Sequence, residues 1–381
     1  MLHNQKFSLP DKHVLPKAYD VVACTVCGFV YADTTAFQAD YDHYYEQFSK
    51  YEDNAVSTGG GTTEWDARRL EETAADLAGF IPDRNAAILD VGCANGGLLK
   101  ALRNRGYDNL LGLDPSRSCV AHVQNQGIQA VIGGLFSPCA ADSPVPRERF
   151  DGIILSHVLE HVYDLQRAIR NVRQWLKTGG VLYVEVPDAS HYPDYFVVPY
   201  YYFDCEHINH FDEHSLENLI VPLGWAYLAS GRKELPASSV NVYPAVYAVF
   251  KKTDGYDTPA GLVSDVTVRD SVVAYVEKSH ASDQYIELDE FARSQEKIIV
   301  WGAGSYTLRL LETTSLGKCN IIAYVDKDTA KQGTKLSGIV ISHPQILHNF
   351  IGPVVISSAL HSQEIIKELR TMGLDNDVTV L

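Results

Sequence analysis

The segment ILDVGCANGGLLKAL, residues 88–102, determines the fold of this chain. An apolar run is interrupted by Asp90, glycines follow closely, and apolar residues then recur at helical spacing. Glycine allows a tight turn and a close approach of the backbone to a ligand at the carboxyl end of a strand. The spacing Gly92-x-x-x-Gly96 differs from the G-x-G-x-x-G of dinucleotide-binding proteins. The segment therefore predicts a strand, a ligand-binding turn and a helix.

Further apolar runs alternate with helical patterns after this segment. The predicted strands lie at 86–92, 109–114, 130–134, 150–156 and 179–187, and after a polar break at 297–304, 320–326 and 352–359. The run at 240–252 favours a pair of antiparallel edge strands. Apolar strands between helices are typical of a parallel sheet covered on both faces. We expect an α/β fold with a doubly wound, Rossmann-like domain followed by a second, smaller Rossmann-like domain.

Length and composition set the domain boundaries. With 381 residues the chain exceeds one ordinary domain. The polar break at 251–261 separates the two α/β regions, and the first residues lack long apolar runs. We therefore predict a small N-terminal segment at 1–50, a first α/β domain at 51–255 and a second at 256–381.

Charge and cysteine usage exclude several classes of partner. Lys and Arg number 32 against 48 Asp and Glu, for a net charge of −16. Such a surface repels phosphate backbones and anionic lipid, which excludes nucleic acid and membrane as partners. The N-terminal residues lack the order of a signal peptide, and the seven cysteines are scattered rather than arranged as a disulfide framework. We expect a cytoplasmic protein, either a monomer or a homodimer.

Three motifs follow one another in the first α/β region: D-x-G-x-x-x-G from Asp90, L-D-P around Asp114, and F-D-x-I from Phe150. An acid at the end of the second strand can accept hydrogen bonds from both ribose hydroxyls. Together the motifs resemble class I S-adenosylmethionine-dependent methyltransferases. The resemblance implies that the glycine-rich turn contacts the methionine end of the cofactor and that the turn after the third strand lies near adenine. The expected cofactor residues are Asp90, Gly92, Cys93, Gly96, Asp114, Pro115, Gly134, Leu135, Ser156 and His157.

A methyl acceptor must be positioned and, for a hydroxyl or a carbon acid, deprotonated. Two segments carry histidines beside carboxylates, SHVLEHVYD at 156–164 and YYYFDCEHINHFD at 200–212. Neutral imidazole suits proton removal near pH 7, and an adjacent carboxylate can raise its basicity. For any one of these histidines, a helix cap or a surface position is the alternative.

The order of parts along the chain narrows the resemblance. A cysteine knuckle and a tyrosine-rich segment precede V-L-E-H-V, then an E-H pair followed by H-F, and then W-G-A-G and Y-V-D-K-D-x-x-K-Q-G. This order is similar to that of the sugar C-methyltransferase family over nearly the whole chain. The resemblance implies methylation of the carbon next to the ketone of a nucleotide-linked keto-sugar. In that reading Glu206 and His207 form the general base pair, and His161 polarises the enolate oxygen. Tyr51 faces the sugar, and His210 contacts the substrate.

One departure keeps other functions open. Asp204 stands where that family often has a tyrosine, two residues before the glutamate. This difference favours an alternative, O-methylation of a sugar or another small metabolite. The non-enzymatic alternative is a binding protein that has kept an inactive cofactor fold.

The N-terminal segment carries a single C-x-x-C knuckle, Cys24 and Cys27. Relatives in the resembled family carry two knuckles that hold a structural zinc, since four ligands close a tetrahedral site. Only His3 and His13 precede the knuckle as other ligand types. We expect a degenerate, zinc-ribbon-like segment without metal, with a Cys2His2 site as the alternative.

The second α/β unit begins with VWGAGS, which contains Gly302, Gly304 and Ser305. A lone G-x-G is a weak nucleotide signal, because Thr307 replaces the third glycine of the dinucleotide fingerprint. Asp326 ends the next strand and leaves bound NAD as an alternative to a packing role. The resemblance implies that this unit helps to hold the nucleotide part of the substrate, with the two glycines and the serine as phosphate neighbours.

Overall fold

The computed structural model describes residues 1–9, 13–47, 59–137, 145–255 and 261–381. Its strands are β1 (His3–Lys6), β2 (Ala18–Ala23), β3 (Val30–Asp33), β4 (Ile88–Val91), β5 (Leu110–Asp114), β6 (Gln129–Ile132), β7 (Phe150–Ser156), β8 (Leu176–Pro187), β9 (Asn209–His210), β10 (Trp225–Pro236), β11 (Val242–Lys252), β12 (Lys297–Trp301), β13 (Asn320–Val325), β14 (Lys335–Leu336), β15 (Ile339–Ser342), β16 (Val354–Ile356) and β17 (Val378–Val380). Its α-helices are α1 (Gln38–Gln47), α2 (Glu64–Phe80), α3 (Gly97–Asn104), α4 (Arg117–Asn125), α5 (Leu165–Trp175), α6 (Glu213–Ile220), α7 (Thr267–His280), α8 (Ile286–Ser294), α9 (Ser305–Thr313) and α10 (Ser362–Thr371).

The central sheet has seven strands in the order β10-β11-β8-β7-β4-β5-β6. Strands β4 to β8 are parallel, whereas β11 runs antiparallel to both β8 and β10. Every residue of β4 and β5 is buried, which requires cover on both faces of the sheet. Because the parallel strands end at one edge, their carboxyl ends bring the turns after β4, β5 and β7 together.

One predicted element differs at this sheet. The run at 240–252 forms a single strand, β11, and it lies inside the sheet rather than at its edge. The edge strand is β10, which the sequence analysis did not predict. Ten of the twelve residues of β10 are partly buried or exposed, so its apolar pattern is weak. Pro244 is tolerated in β11, where it pairs with Glu234 and its carbonyl oxygen accepts a hydrogen bond from Asp188 N at 2.9 Å.

The N-terminal segment forms a four-stranded antiparallel sheet in the order β1-β2-β3-β9. Its fourth strand, β9, comes from the segment that follows the predicted Glu206–His207 pair. Val30 pairs with His210, and Tyr31 pairs with Asn209. The N-terminal sheet therefore holds the predicted catalytic loop in place by main-chain pairing.

The second α/β unit has a six-stranded sheet in the order β14-β15-β13-β12-β16-β17. Its five longer strands are parallel, and β14 forms an antiparallel hairpin with β15. Helix α9 follows β12 directly, as α3 follows β4 in the first unit. The unit contacts the N-terminal sheet through Ser8, whose N–H donates to Leu308 O at 2.8 Å.

Helix α7 shares a core with the N-terminal sheet. Its buried residues Val272 and Tyr275 belong to the apolar cluster that also contains Phe7, Tyr41 and Phe203. The N-terminal sheet, the aromatic loop and α7 thus share one core, and the domain boundaries 1–50, 51–255 and 256–381 stay predictions. Among the described residues, every helix is too short or too polar to cross a membrane.

Candidate active site

The glycine-rich turn after β4 has the geometry that the sequence predicts. Gly92 and Gly96 have φ angles of 72° and 77°, in the left-handed region that disfavours a side chain. A Cβ on Gly96 would lie 2.7 Å from Val123 Cγ2, and one on Gly92 would lie 2.9 Å from Val158 Cγ2. The second contact places Val158, and with it the SHVLEH segment, directly against the turn.

Two carboxyl groups lie at the ends of β4 and β5. Asp114 Oδ2 accepts a hydrogen bond from Ala94 N, and its Oδ1 accepts one from Ser116 N, both at 2.9 Å. Burial raises the pKa of Asp114, while burial together with the charge of Asp114 raises the pKa of Asp90 to about 8. Asp90 therefore keeps its proton over much of the neutral range.

These residues fit the predicted cofactor. An ionised carboxylate has about four lone-pair sites, so Asp114 keeps acceptor capacity for ribose hydroxyls after its two backbone bonds. A Cβ on Gly134 would meet nothing within 4 Å, which places open space beside the turn after β6.

The remaining predicted cofactor residues take different positions. The side chains of Cys93 and Leu135 are buried, so they would meet a ligand through their backbone. Pro115 is partly buried at the end of β5. Ser156 Oγ donates to Glu185 Oε1 at 3.0 Å, and His157 Nε2 lies 2.9 Å from Tyr243 OH. These last two side chains thus belong to a polar network at the ends of β7 and β8.

Glu185 is the centre of that network, and the sequence analysis did not single it out. It is fully buried, and its carboxylate accepts hydrogen bonds from Thr73 and Tyr183 as well as Ser156. Lys233 Nζ lies 2.6 Å from Glu185 Oε2. Burial alone would raise the pKa of Glu185, but the charges of Lys233, His157 and Arg69, together with the hydrogen bond from Lys233, lower it to about 2. The sequence did contain a signal for this residue. Glu185 is a carboxylate within the apolar run at 179–187, which predicts a buried strand.

The predicted acceptor residues come together on the other side of the SHVLEH segment. His161 Nδ1 lies 3.0 Å from the main-chain oxygen of Glu206, and the His161 and His207 rings lie 4.7 Å apart. Glu160 is buried beside them, with its Oε1 atom 3.2 Å from His157 Nδ1. Burial would raise the pKa of Glu160, but the hydrogen bond from His157 and the neighbouring histidines lower it to about 2. An ionised carboxylate therefore lies beside the histidines.

Two tyrosines that the sequence analysis did not assign contact the glutamate of the predicted base pair. Tyr44 OH donates to Glu206 Oε1 at 3.2 Å, and Tyr45 OH donates to Oε2 at 3.0 Å. Both come from α1, within the tyrosine-rich segment that the sequence analysis noted. Tyr51, the tyrosine that was predicted to face the sugar, lies outside the described residues.

His210 takes a position that differs from the predicted substrate contact. It is 1% exposed, its Nδ1 atom lies 3.2 Å from Tyr192 OH, and its ring packs against Phe203. Burial, and then the charge of His207, lower its pKa to about 3, so it is neutral. His210 belongs to the aromatic core because β9 turns its side chain inward while pairing with β3.

The second α/β unit reaches the same loop. Ser305 Oγ donates to Asp204 Oδ2 at 3.0 Å, two residues before Glu206. The N–H groups of Gly302 and Ala303 are bonded inside the protein, to Val325 O and Asp326 Oδ2. A phosphate at this turn would therefore depend on Gly304 and Ser305.

Cys24 and Cys27 form an exposed turn at the end of β2. Hydrogen bonds from the N–H groups of Cys27 and Val26 lower the pKa of Cys24. Within the described part of the chain, the groups of three metal-ligand side chains that lie close together do not include the knuckle.

Comparison with known proteins identifies two regions. Residues 63–230 match a family model described as a methyltransferase domain, and residues 294–380 match one described as C2185-like, N-terminal. The chain is 30% identical over 97 residues to the ubiquinone biosynthesis O-methyltransferase of Bradyrhizobium diazoefficiens, covering 26% of this chain and 38% of that protein. It is 35% identical over 98 residues to the enzyme of the same name from Coxiella burnetii, covering 25% and 41%. The human mitochondrial enzyme is 32% identical over 102 residues, covering 26% and 27%. The chain thus spans less than half the length of these relatives.

Solved structures also match. The Burkholderia thailandensis 1,6-didemethyltoxoflavin-N1-methyltransferase, with bound S-adenosylhomocysteine, has a TM-score of 0.42 at 17% identity and covers 62% of this chain and 96% of that chain. An S-adenosylmethionine-dependent methyltransferase from Mesorhizobium loti has a TM-score of 0.39 at 18% identity and covers 48% and 100%. The family match at 63–230 confirms the predicted methyltransferase domain with S-adenosylmethionine as its cofactor.

Proposed function

We propose that this chain, whose residues 63–230 form a class I S-adenosylmethionine-dependent methyltransferase domain, methylates the carbon next to the ketone of a nucleotide-linked sugar. The contact of His161 with Glu206 and His207, next to the cofactor turn, is the observation that carries the proposal. A carbon acid needs a base at the cofactor, and this contact supports His207 in that role.

The proposed proton transfer uses His207 and its neighbours. When bound, S-adenosylmethionine supplies an electrophilic methyl group on its sulfonium. A ring nitrogen of His207, which is only partly buried, takes the proton from the carbon next to the ketone. The ionised carboxylate of Glu160 stabilises the resulting imidazolium. His161 is oriented by the main-chain oxygen of Glu206. In its imidazolium form, the N–H group at His161 Nε2 stabilises the negative charge that develops on the ketone oxygen.

Glu206 acts in this proposal by holding the loop. Its carboxylate bonds to Tyr44 and Tyr45, and its main-chain oxygen bonds to His161. The resembled family often has a tyrosine at the position of Asp204. In this chain the tyrosines of α1 supply phenol groups beside the loop instead. Asp204 instead accepts the Ser305 hydroxyl, which connects the loop to the unit proposed to hold the nucleotide phosphates.

O-methylation of a small metabolite is the second candidate. Its support is the identity of 30–35% to ubiquinone biosynthesis O-methyltransferases over about a quarter of this chain. A hydroxyl acceptor needs the same base, so His207 serves either reaction. The two reactions differ at the acceptor atom: only carbon methylation exchanges the proton on the sugar carbon.

The test measures release of S-adenosylhomocysteine with a panel of nucleoside diphosphate-linked keto-sugars. His207→Ala should lower the rate roughly 100-fold or more, the usual contribution of a positioned base, and leave S-adenosylhomocysteine affinity within about twofold. His348→Ala is the matched control, because this histidine is exposed in the second unit. A near-normal rate in His207→Ala would show that another group is the base.

Deuterium exchange separates the two reactions. With a keto-sugar in D₂O and S-adenosylhomocysteine in place of the methyl donor, the wild type should wash the α-proton out, as measured by NMR. His207→Ala should not. Turnover on a hydroxyl acceptor, without washout from any keto-sugar, would replace carbon methylation by O-methylation.

A further inference from the structure

We propose that Glu160, His161 and His207 form a binding site for a divalent transition-metal ion such as Zn²⁺. Each offers one ligand atom, and these atoms all lie within 4.8 Å of one another. One carboxylate and two imidazoles are ligands that suit Zn²⁺ and its neighbours in the first transition series. Glu160 and His161 are buried, and His207 is partly exposed, so an ion can enter from the His207 side.

Glu160 carries the second observation. The residue is 2% exposed, and its Oε2 atom is buried without a hydrogen-bond donor among the described residues. Burying an ionised carboxylate oxygen without a donor is costly, and a bound cation would remove that cost. Glu160 Oε1 lies 3.2 Å from His157 Nδ1, so Oε2 is the oxygen of this carboxylate that an ion would bind.

His161 is oriented as a metal-binding histidine usually is. Its Nδ1 atom lies 3.0 Å from a main-chain oxygen, so this nitrogen carries the proton of the neutral ring. The lone pair is then on Nε2, the atom that lies 3.9 Å from Glu160 Oε1. A hydrogen bond from the second ring nitrogen to a carbonyl fixes the tautomer and raises the basicity of the ligand nitrogen.

A bound ion would require side-chain movements of up to about 1.5 Å, because the three ligand atoms lie within 4.8 Å of one another. In a tetrahedral site with metal–ligand bonds near 2 Å, neighbouring ligand atoms lie about 3.3 Å apart. The separation of 3.9 Å between His161 Nε2 and Glu160 Oε1, the oxygen that also contacts His157, exceeds this value by a fraction of an ångström. Three protein ligands leave the fourth position open for water.

A second group of ligands fits less well. Asp204, Cys205 and Glu206 also bring three ligand atoms within 4.8 Å. Both carboxylate oxygens of Glu206, however, accept hydrogen bonds from Tyr44 and Tyr45. An ion there would have to compete with these bonds, whereas Glu160 Oε2 loses nothing by binding a metal.

The ion would occupy the imidazole lone pair that the proposed base uses. Zn²⁺ should therefore inhibit methyl transfer, and a chelator should reverse this inhibition. Only this consequence rests on the proposed function. Metal binding itself is measured without methyl donor or acceptor. The metal-site proposal can therefore be refuted while the proposed methyl transfer is supported, and the proposed methyl transfer can be refuted while metal binding is observed.

The experiment uses the full chain carrying Cys24→Ser and Cys27→Ser, which removes two partly buried cysteines that would also bind Zn²⁺. After chelator treatment, titration with Zn²⁺ and the visible absorption of Co²⁺ report the number of ions and their geometry. We expect one ion per chain, and at least tenfold weaker binding in both His207→Ala and Glu160→Gln. His348→Ala is the matched control and should bind normally.

His207→Ala is the decisive variant because its side chain is partly exposed; Glu160→Gln is interpreted only if circular dichroism and S-adenosylhomocysteine binding show a folded protein. The proposal is overturned if the double cysteine variant binds no ion. It is also overturned if His207→Ala binds as tightly as its parent, which would place the ion elsewhere.

Discussion

Asp114 allows a test of the cofactor site with an internal control. Asp114 is the last residue of the second strand in the first α/β unit, and Asp326 directly follows the second strand in the second unit. Both make the same pair of backbone bonds. Asp114 accepts from Ala94 N and Ser116 N, and Asp326 accepts from Ala303 N at 2.9 Å and Asp328 N at 3.0 Å. Only Asp114 belongs to the methyltransferase domain at residues 63–230. The prediction is that Asp114→Asn weakens cofactor binding and that Asp326→Asn does not.

The magnitude follows from the bonds involved. Asparagine keeps one acceptor oxygen but places an NH₂ group against one of the two backbone donors, which costs about 1–3 kcal/mol in either unit. Asp114→Asn also removes a charged acceptor for the ribose hydroxyls, and hydrogen bonds to charged groups contribute about 1.5–3 kcal/mol each. A net loss of about 2–3 kcal/mol corresponds to a roughly 30- to 150-fold higher Kd.

Isothermal titration with S-adenosylhomocysteine at pH 7 measures this loss in Asp114→Asn, Asp326→Asn and the wild type. Chemical denaturation of the same samples shows whether the two substitutions destabilise the chain by similar amounts. Equal affinity in Asp114→Asn and the wild type would refute the assignment of Asp114 to the ribose. An equal loss of affinity in both variants would show that the effect passes through stability.

Three further outcomes follow from the packing. Glu185→Gln should lower the free energy of unfolding by about 3 kcal/mol, because a buried ion pair with Lys233 loses one partner. Urea denaturation measures this loss, and a change below about 1 kcal/mol would contradict the prediction. Because the folded-state pKa of Glu185 is lowered from 4.5 to about 2, its contribution is full above pH 4.5 and is lost as the pH falls toward 2. The stability difference between this variant and the wild type should therefore shrink over that window, and a constant difference would exclude this origin. Gly96→Ala should weaken S-adenosylhomocysteine binding more than Gly106→Ala. Both glycines have positive φ, but only a Cβ at Gly96 would clash with Val123. Equal affinities of the two variants would contradict a role of the glycine-rich turn in cofactor binding.

The sequence by itself determined the central elements and the methyltransferase domain. Strand, turn and helix follow one another within residues 88–102, so apolar continuity and glycine spacing report them without knowledge of distant residues. The positions of Asp90 and Asp114 follow for the same reason, because each is fixed by the end of its own strand.

Only the tertiary structure decided which distant groups meet. Tyr44 and Tyr45 contact Glu206 across more than 160 residues of sequence, and no local period encodes such a contact. Strand β10 was missed because it is an edge strand with mixed exposure. His210 lies in the core because β9 joins the N-terminal sheet, a pairing between distant segments. The geometry of the loop that carries Glu206 and His207 therefore depends on long-range packing, because its apolar and main-chain groups are buried and bonded by distant segments. The glycine-rich turn depends mainly on the local sequence.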